Sequence, residues 1–300
     1  RFFFCALPVA ALTCRRFHIV EILMNPSILA RYNRPVFFYF WSITIPWFCW
    51  FLAGYLSQLP QAADYAWLQG TLGMAGLLAP IAVAAWLFAA DPLLLADLKA
   101  RLFTRRGLNA PIVAFTLIFP PLSIIVAMAI SLAFGYSADQ FVISGSPSFS
   151  SALFSPWFIL LFAALVEELA WHTYGTDTLL RRFNLFTTSI IFALFWGAWH
   201  LPLAPIKGYY QANLVAEGWQ YGVNFLVSVF MFVFIMNWVY AKAGRNVWIA
   251  VLFHAVANIS NEIFAAHPAS KIIQSGLFLI LAAYLLTRDR KLFFQRGSIA

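Results

Sequence analysis

The sequence predicts an all-α fold, a polytopic membrane bundle of about eight transmembrane helices, and two observations carry this prediction. Of the 300 residues, 63% are hydrophobic and only 10% are charged, and the mean hydropathy is +0.81. Soluble domains carry about 25% charged residues. The apolar residues also form runs long enough to cross roughly 30 Å of hydrocarbon, which takes about 17 to 25 residues per helix. We therefore expect an integral multi-pass protein, in the plasma membrane of a prokaryote.

Short loops connect the apolar runs, with no evident internal repeat and no room for a soluble domain. The fourth and fifth runs are interrupted by polar groups, and the eighth is short. We predict a membrane domain over 36–287, an N-terminal cytoplasmic segment over 1–35 and a basic cytoplasmic tail over 288–300. Because the chain begins with Arg1, whether the first segment is native is left open, with three interpretations: a fragment end, a processed end or an upstream extension of a start at Met24. The eight predicted spans cover residues 36–54, 72–90, 110–134, 154–176, 186–204, 222–241, 246–265 and 272–287.

The distribution of basic residues predicts the topology. Of the 19 Lys and Arg residues, all but Lys207 and Lys271 fall in segments on one side of the predicted membrane. The basic side is normally cytoplasmic, so we expect both termini inside and an even number of spans. The net charge of +8 is then a consequence of topology, and we expect no nucleic-acid partner. The three cysteines share no metal-like spacing, which argues against disulfides and zinc fingers.

Three of the predicted spans carry ionisable or amide side chains. The fourth holds Glu167 and Glu168 in "ALVEELAWHTYGT", the fifth holds His200 in "FWGAWHLPL", and the seventh holds His254 and Asn258 in "LFHAVANIS". A charge near the bilayer centre costs about 2.5 to 3.5 kcal/mol on insertion scales, so it usually faces a cavity or a partner. The plainer alternative is that such groups only join helices. Their concentration in three spans favours a shared site.

The depth of these residues supports such a site. At 1.5 Å per residue from the basic ends of the spans, Glu167 and His200 lie about 21 Å deep, His254 about 14 Å and Asn258 about 20 Å. We therefore expect side chains from the fourth, fifth and seventh spans to meet in one hydrated pocket.

The three motifs, in this order, resemble those of the CPBP family of intramembrane proteases. This family, also called the CAAX protease and bacteriocin-processing or Abi family, includes the type II CAAX prenyl endopeptidases. Its motifs are a Glu pair followed after three residues by Arg, an aromatic residue one turn before a His, and a His one turn before Asn or Asp. The resemblance is strongest over about 150–265. The matching positions are Glu167 with Glu168, Trp196 with His200, and His254 with Asn258.

One position departs from the family pattern, because His172 stands where the family has Arg. Four residues after Glu168, it can still contact that carboxylate across one helical turn. Histidine titrates near neutrality and lacks the fixed charge and forked donors of arginine. Two interpretations stay open: a tolerated substitution, or a pH-dependent pairing with reduced or absent activity.

The resemblance implies an endopeptidase that cleaves a membrane-associated substrate, either a prenylated CaaX-type protein or a bacteriocin-like peptide. It implies that Glu167 is the general base, that His200 holds the water, and that His254 and Asn258 face the oxyanion. Glu168, His172 and Trp196 would support them. The same four groups, Glu167, His200, His254 and Asn258, are also candidate ligands of a divalent metal such as zinc. A metal-free glutamate mechanism uses the same residues, and both alternatives stay open.

Two other functions stay open. A catalytically inactive immunity or scaffold protein would retain the fold, whereas a transporter would show broken helices in corresponding halves. The expected partners are membrane lipid and a peptide or lipidated protein, and the oligomeric state is not indicated. Near the outer membrane edge, Glu262 is expected to be solvated. Tyr209 and Tyr210 are expected to be interfacial anchors.

Overall fold

A computed structural model describes residues 26–151 and 153–297, and these residues confirm the all-α prediction. The predicted N-terminal segment therefore lies mostly outside the described residues, as do the last three residues of the tail. The helix α5 continues through a π-helical turn, Trp171–Gly175, into the segment Thr176–Leu180. The main helices are α1 (Pro35–Gln58), α2 (Ala66–Ala89), α3 (Pro92–Leu102), α4 (Ala110–Leu132), α5 (Pro156–Ala170), α6 (Leu185–His200), α7 (Tyr210–Glu217), α8 (Trp219–Lys242), α9 (Val247–Ile263) and α10 (Pro268–Arg288).

Six helices of the described chain are long and apolar enough to cross a membrane, which makes this a multi-pass membrane protein. They are α1, α2 with the turn before it, α4, α6 with the turn after it, α8 and α10. Each coincides with a predicted span. The remaining two predicted spans are α5, which the π turn interrupts, and α9, which is a shorter apolar helix. These two helices also carry four of the predicted site residues: Glu167, Glu168, His254 and Asn258.

The helices α3 and α7 occupy segments that the sequence analysis treated as loops. Asp91 caps α3, accepting hydrogen bonds from the backbone N–H of Leu93 at 2.9 Å and of Leu94 at 3.3 Å. Pro92 follows at the first helical position, where the missing N–H costs nothing. With 11 residues, α3 is too short to span a bilayer. It buries Asp97 and Arg101.

The helix α5, which carries Glu167 and Glu168, packs against α2 and α9, and α6 packs against α8. One end of the bundle consequently holds the start of α5, the end of α6 and the end of α9. We call this the cavity end; it holds the α1–α2, α4–α5, α6–α8 and α9–α10 connections. We call the opposite end, with the α2–α4, α5–α6 and α8–α9 connections and both ends of the described chain, the basic end.

A close approach of α1 and α2 shapes the cavity end. A Cβ on Gly76 would lie 2.3 Å from the indole Nε1 of Trp50, so no larger residue fits there without a shift. That indole N–H donates to the carbonyl of Gly73 at 3.0 Å. Because position 76 is glycine, the indole of Trp50 can pack closely against α2. Trp50 lies in the wall of the cavity described below.

Two aspartates and two arginines form a buried ion cluster at the basic end. Asp177 Oδ2 lies 2.9 Å from Arg101 Nη1 and 2.5 Å from Arg245 Nη2. Asp97 Oδ2 lies 3.1 Å from each of the two guanidinium groups and accepts the Tyr32 hydroxyl at 2.5 Å. Arg101 and Arg245 are only 1% and 5% exposed. Both arginines belong to the basic segments identified in the sequence, and they are buried here because acidic partners from distant segments neutralise them.

The ion cluster also binds the π turn that follows α5. Arg101 donates to the backbone carbonyl of His172 at 3.2 Å and to that of Thr173 at 2.8 Å. A π turn interrupts the regular pattern of helical hydrogen bonds, and such turns are frequent at functional sites. Here a guanidinium group from α3 binds two carbonyls of the turn, and so it positions the segment that carries His172.

Candidate active site

The four residues predicted to form the site line one cavity of about 430 Å³ at the cavity end. Glu167 comes from α5, His200 from the last residue of α6, and His254 and Asn258 from α9. Glu167 and His254 are each 6% exposed. The helix packing therefore brings together side chains that lie far apart in the sequence.

Two indole groups hold one oxygen of Glu167. Trp196 Nε1 donates to Oε2 at 2.9 Å, and Trp171 Nε1 donates to the same oxygen at 3.3 Å. No hydrogen bond to Oε1 occurs within the described part of the chain. The carboxylate is thus oriented through Oε2, and Oε1 is available to a water molecule or a substrate.

The orientation of His200 follows from a bond to its own helix. Its Nδ1 lies 2.6 Å from the carbonyl oxygen of Trp196, one turn earlier. An imidazole that donates from Nδ1 to a carbonyl has its lone pair on Nε2 when the ring is neutral. The ring also packs edge-on against Trp199, with the centroids 5.0 Å apart. These contacts leave Nε2 of His200 as the atom able to act in the cavity.

Glu168 lies behind the cavity wall, between two histidines. His254 Nδ1 is 2.8 Å from Oε1, and His172 Nδ1 hydrogen-bonds Oε2. Glu168 and His172 are both fully buried. Because Glu168 binds the Nδ1 side of His254, the Nε2 side of that ring is free to face the cavity.

His172, which stands at the position of the family's arginine, contacts Glu168 across one helical turn as expected. Its Nε2 lies 2.9 Å from Asn237 Oδ1, and Asn237 Nδ2 donates to Ser189 Oγ at 2.9 Å. The Ser189 hydroxyl in turn donates to the carbonyl of Leu185 at 2.8 Å. Both ring nitrogens of His172 thus have a hydrogen-bond partner. The histidine therefore provides Glu168 with a donor where the family has a guanidinium group.

Asn258 is positioned by the neighbouring helix. Its Nδ2 donates to the carbonyl of Leu160 on α5 at 3.1 Å. An amide has two N–H donors and a carbonyl oxygen, so one N–H and the oxygen stay available on the side of the cavity. The bond to α5 also fixes α9 against the helix that carries Glu167.

The candidate metal ligands do not form a zinc site as they are placed. Within residues 26–151 and 153–297, no three His, Cys, Asp or Glu side chains come together as a group able to hold a metal ion. His200 and His254 each have Nδ1 bonded and Nε2 free, which is the usual orientation of a histidine ligand. Glu167, in contrast, has Oε2 occupied by two indoles. The requirement for a divalent metal stays a prediction of the sequence.

One expectation about the cavity end was wrong. Glu262 is 5% exposed rather than solvated. It pairs with Lys271 Nζ at 3.1 Å and accepts from both the backbone N–H and the hydroxyl of Ser148 at 2.7 Å. Tyr209 and Tyr210, which were expected at the lipid interface, also line the cavity. The α4–α5 connection covers Glu262. A depth counted along the sequence cannot predict this contact between distant segments.

Trp171 and Asn237 belong to the site but were not singled out from the sequence. Trp171 lies four residues after Glu167, so the helical i,i+4 spacing could have indicated its contact. Asn237 is a single amide in the apolar run "FIMNWVY" of α8, and a polar group within a span is itself a signal of a partner. Neither signal identifies the partner, because Asn237 bonds a residue 65 positions away.

Two comparisons with known proteins identify the family of this chain. Residues 149–260 match the family model described as type II CAAX prenyl endopeptidase Rce1-like. The chain is 31% identical over 268 residues to CAAX prenyl protease 2 of Methanococcus maripaludis, covering 89% of this chain and 97% of that relative. The matched region contains every motif residue described above. The chain therefore belongs to the Rce1-like type II CAAX prenyl endopeptidase family, and it is a membrane protease.

Proposed function

We propose that this protein is an intramembrane endopeptidase in which Glu167 activates a water molecule to cleave a peptide bond of a membrane-associated substrate. One observation carries the proposal. Glu167 lines the cavity with Oε2 held by two indole N–H groups and Oε1 without a bond among the described residues. A carboxylate oriented in this way is suited to general base catalysis, which requires the base within hydrogen-bond reach of the water.

The proposed reaction balances with one water molecule. The water oxygen attacks the carbonyl carbon of the scissile bond while Oε1 of Glu167 accepts a proton from that water. The resulting tetrahedral intermediate carries its negative charge on the former carbonyl oxygen. Glu167 then returns the proton to the leaving nitrogen, the C–N bond breaks, and the products are a new carboxyl terminus and a new amino terminus.

The other cavity residues have distinct roles in this proposal. His200 Nε2 accepts a hydrogen bond from the water and keeps it beside Glu167. Asn258 and His254 lie on one face of α9, and they donate to the developing oxyanion. A well-placed oxyanion donor contributes about 2.7 to 4 kcal/mol to such reactions. Glu168 and His172 act through His254, whose ring they orient.

We propose two substrate classes on the basis of family membership: a prenylated CaaX-type protein, as the name of the Methanococcus relative suggests, or a bacteriocin-like membrane peptide. A volume of about 430 Å³ accommodates only a short extended segment. The rest of the substrate would therefore lie outside the cavity, in the membrane or in water. We also propose that both termini are cytoplasmic in a prokaryotic plasma membrane, from the bias in basic residues.

The test is the turnover of Glu167→Gln in a membrane-based cleavage assay. We expect a loss of at least about 100-fold, because general base catalysis typically contributes a factor of 10² to 10⁴. Glutamine is nearly isosteric and its carbonyl can still accept from Trp196, so the melting temperature should change little. Glu217→Gln, at an exposed glutamate of the same end, is the matched control. Equal cleavage by both variants would favour an inactive scaffold that retains the fold.

A further inference from the structure

We propose that the Tyr209 hydroxyl donates a hydrogen bond to the oxyanion of the tetrahedral intermediate, as a further catalytic group beside Asn258 and His254. This role rests on the proposed function, because the oxyanion forms only when the water activated by Glu167 attacks the peptide carbonyl. Three observations support it: the place of Tyr209 in the cavity wall, the surroundings of its hydroxyl, and the contrast with its neighbour Tyr210.

The backbone around Tyr209 is fixed at the cavity end. The preceding residue, Gly208, adopts a φ of +75°, a left-handed conformation that glycine adopts without strain. Its carbonyl accepts from the backbone N–H of Ser150 at 2.9 Å and from Asn213 Nδ2 at 3.3 Å. The carbonyl of Tyr209 accepts from the backbone N–H of Asn213 at 3.0 Å and so begins α7. Contacts from two connections therefore determine where the tyrosine lies.

The side chain of Tyr209 lies in the wall of the cavity that holds the four predicted site residues. Phe149, from the α4–α5 connection, packs edge-on against its ring, with the centroids 5.5 Å apart. The tyrosine is partly buried. An aromatic contact of this kind restrains the ring without using its hydroxyl, which stays available for a hydrogen bond.

The hydroxyl of Tyr209 is a protonated donor close to the general base. In the described part of the chain it binds no protein group, and it is not one of the unpartnered polar atoms that the protein shields completely. Burial raises the pKa of this phenol, and the Glu167 carboxylate raises it further. The hydroxyl therefore keeps its proton at neutral pH. Because the influence of a charge falls with distance, the phenol and Glu167 lie near each other in the cavity.

The adjacent Tyr210 lines the same cavity, but its hydroxyl already has a partner. Lys271 Nζ lies 3.2 Å from that hydroxyl and 3.1 Å from Glu262 Oε1. The charges that shift the pKa of Tyr210 are those of Lys271 and Glu262. Glu167, in contrast, acts on Tyr209. Of two neighbouring tyrosines, one thus belongs to an ion pair in the wall and the other lies beside the general base.

A protonated phenol binds an oxyanion more strongly than it binds the carbonyl of the bound substrate. Hydrogen bonds to an ionised acceptor are roughly twice as strong as those between neutral groups. The bond from Tyr209 therefore strengthens as negative charge develops on the carbonyl oxygen, and an interaction that is stronger in the transition state raises kcat. The proton stays on Tyr209 throughout, so the one-water balance of the proposed reaction is unchanged.

The test compares Tyr209→Phe with Tyr210→Phe, because each change removes a single hydroxyl from the same wall. The full chain in detergent micelles is assayed with a peptide, of either proposed class, that the native protein cleaves. We expect Tyr209→Phe to lower kcat about 100-fold, at the lower end of the losses for one oxyanion donor, with KM and the melting temperature little changed. Tyr210→Phe should lower the melting temperature instead, because Lys271 loses a partner, and it should leave kcat nearly unchanged.

A second measurement needs no turnover. A phosphinic peptide carries a tetrahedral anion that resembles the intermediate, and transition-state analogues bind far more tightly than substrates. We expect Tyr209→Phe to weaken the binding of this peptide by the same factor by which it lowers kcat. Tyr210→Phe should bind it as the native chain does.

Native kcat in Tyr209→Phe, a loss confined to KM, or unchanged binding of the phosphinic peptide would overturn the role of Tyr209. If Glu167→Gln is inactive at the same time, the proposed function stands and only this inference fails. Native turnover by Glu167→Gln would instead overturn the proposed function, whatever the result at Tyr209.

Discussion

At the basic end, Asp97, Asp177, Arg101 and Arg245 are buried as a balanced set, and each charge meets an opposite one within hydrogen-bond distance. At the cavity end, Glu167 is buried almost as deeply, yet it accepts only two indole hydrogen bonds within the described chain. A buried charge that is fully paired adds rigidity to the structure. A buried carboxylate with an unpaired oxygen in a cavity can instead accept a proton. The basic end thus uses its buried ionisable groups for structure, whereas the cavity end presents Glu167 for the proposed chemistry.

His172 connects the two ends. Its backbone carbonyl accepts from Arg101 of the ion cluster, while its ring donates toward Glu168 behind the cavity wall. The ring also packs against Tyr240, with the centroids 4.7 Å apart, and the Tyr240 hydroxyl donates to Asp177 at 3.1 Å. The structural cluster therefore determines where the supporting residues of the candidate site lie.

The largest effect on stability is expected from Asp177→Asn, which removes the charge shared by Arg101 and Arg245. Leaving a buried charge without its partner typically costs about 3 to 5 kcal/mol. We expect the free energy of unfolding, measured in detergent micelles, to fall by that amount. Asp289→Asn is the matched control, because its partner Lys242 is 37% exposed, and surface pairs contribute less than about 1 kcal/mol. Equal losses in the two variants would contradict a structural role for the ion cluster.

An intermediate effect is expected at the cavity end from Lys271→Met. This change leaves Glu262 buried without its ammonium partner. We expect the free energy of unfolding to fall by about 2 kcal/mol. This loss is smaller than the full cost of a broken buried pair because Lys271 is partly exposed. Adding Glu262→Gln should recover most of that loss. Unfolding of the single and double variants measures the difference, and a double variant no more stable than Lys271→Met would show that the pair contributes nothing.

A smaller effect is expected from acidification at the basic end. Burial raises the pKa of Asp97, but Arg101, Arg245 and the Tyr32 hydroxyl outweigh burial and hold it below its usual value of 3.8. A carboxyl whose pKa is lowered in the folded state stabilises the protein at pH values above its unfolded-state pKa. This stabilisation is lost as the pH falls through the folded-state pKa. The melting temperature should therefore drop as the pH falls below about 4.

Asp97→Asn tests the origin of that pH dependence. The variant should be less stable than the native chain at neutral pH and should lose part of the decrease in acid. A melting temperature that rises on acidification, or an unchanged profile in Asp97→Asn, would contradict the assignment to this carboxyl.

The smallest effect is expected from Arg31→Ala. The Arg31–Asp91 pair is close, with 2.8 Å between Nη1 and Oδ2, but its side chains are 45% and 25% exposed. Solvent screening limits such pairs to less than about 1 kcal/mol. A loss as large as that of Asp177→Asn, measured under the same conditions, would remove the distinction between buried and exposed charges on which the comparison depends.

Much of the candidate site could be predicted from local spacing. The pairing of Glu168 with His172 follows from the four-residue separation on a helix, and the structure shows that contact. The face shared by His254 and Asn258 follows in the same way. Each of these relations lies within one helical turn, where backbone geometry determines which side chains are neighbours.

The ion cluster could not be predicted in this way. Arg101 and Asp177 are 76 positions apart, and Arg245 and Asp97 are 148 positions apart. Arg245 also adopts a φ of +63°, a conformation that costs a non-glycine residue about 1 to 3 kcal/mol. In the sequence, these charges are indistinguishable from the solvated ones at the same end, because nothing local indicates which arginine meets an aspartate.

The sequence by itself determined that the chain is a membrane bundle, where its apolar spans lie and which connections are basic. Hydropathy and charge act on each segment almost independently of the others, so they can be read along the chain. Only the tertiary structure decided that the cavity lies at the sparsely charged end, and that Arg101 and Arg245 are buried with Asp97 and Asp177. Both results depend on how distant helices pack, and this packing brings together side chains whose partners no local pattern identifies.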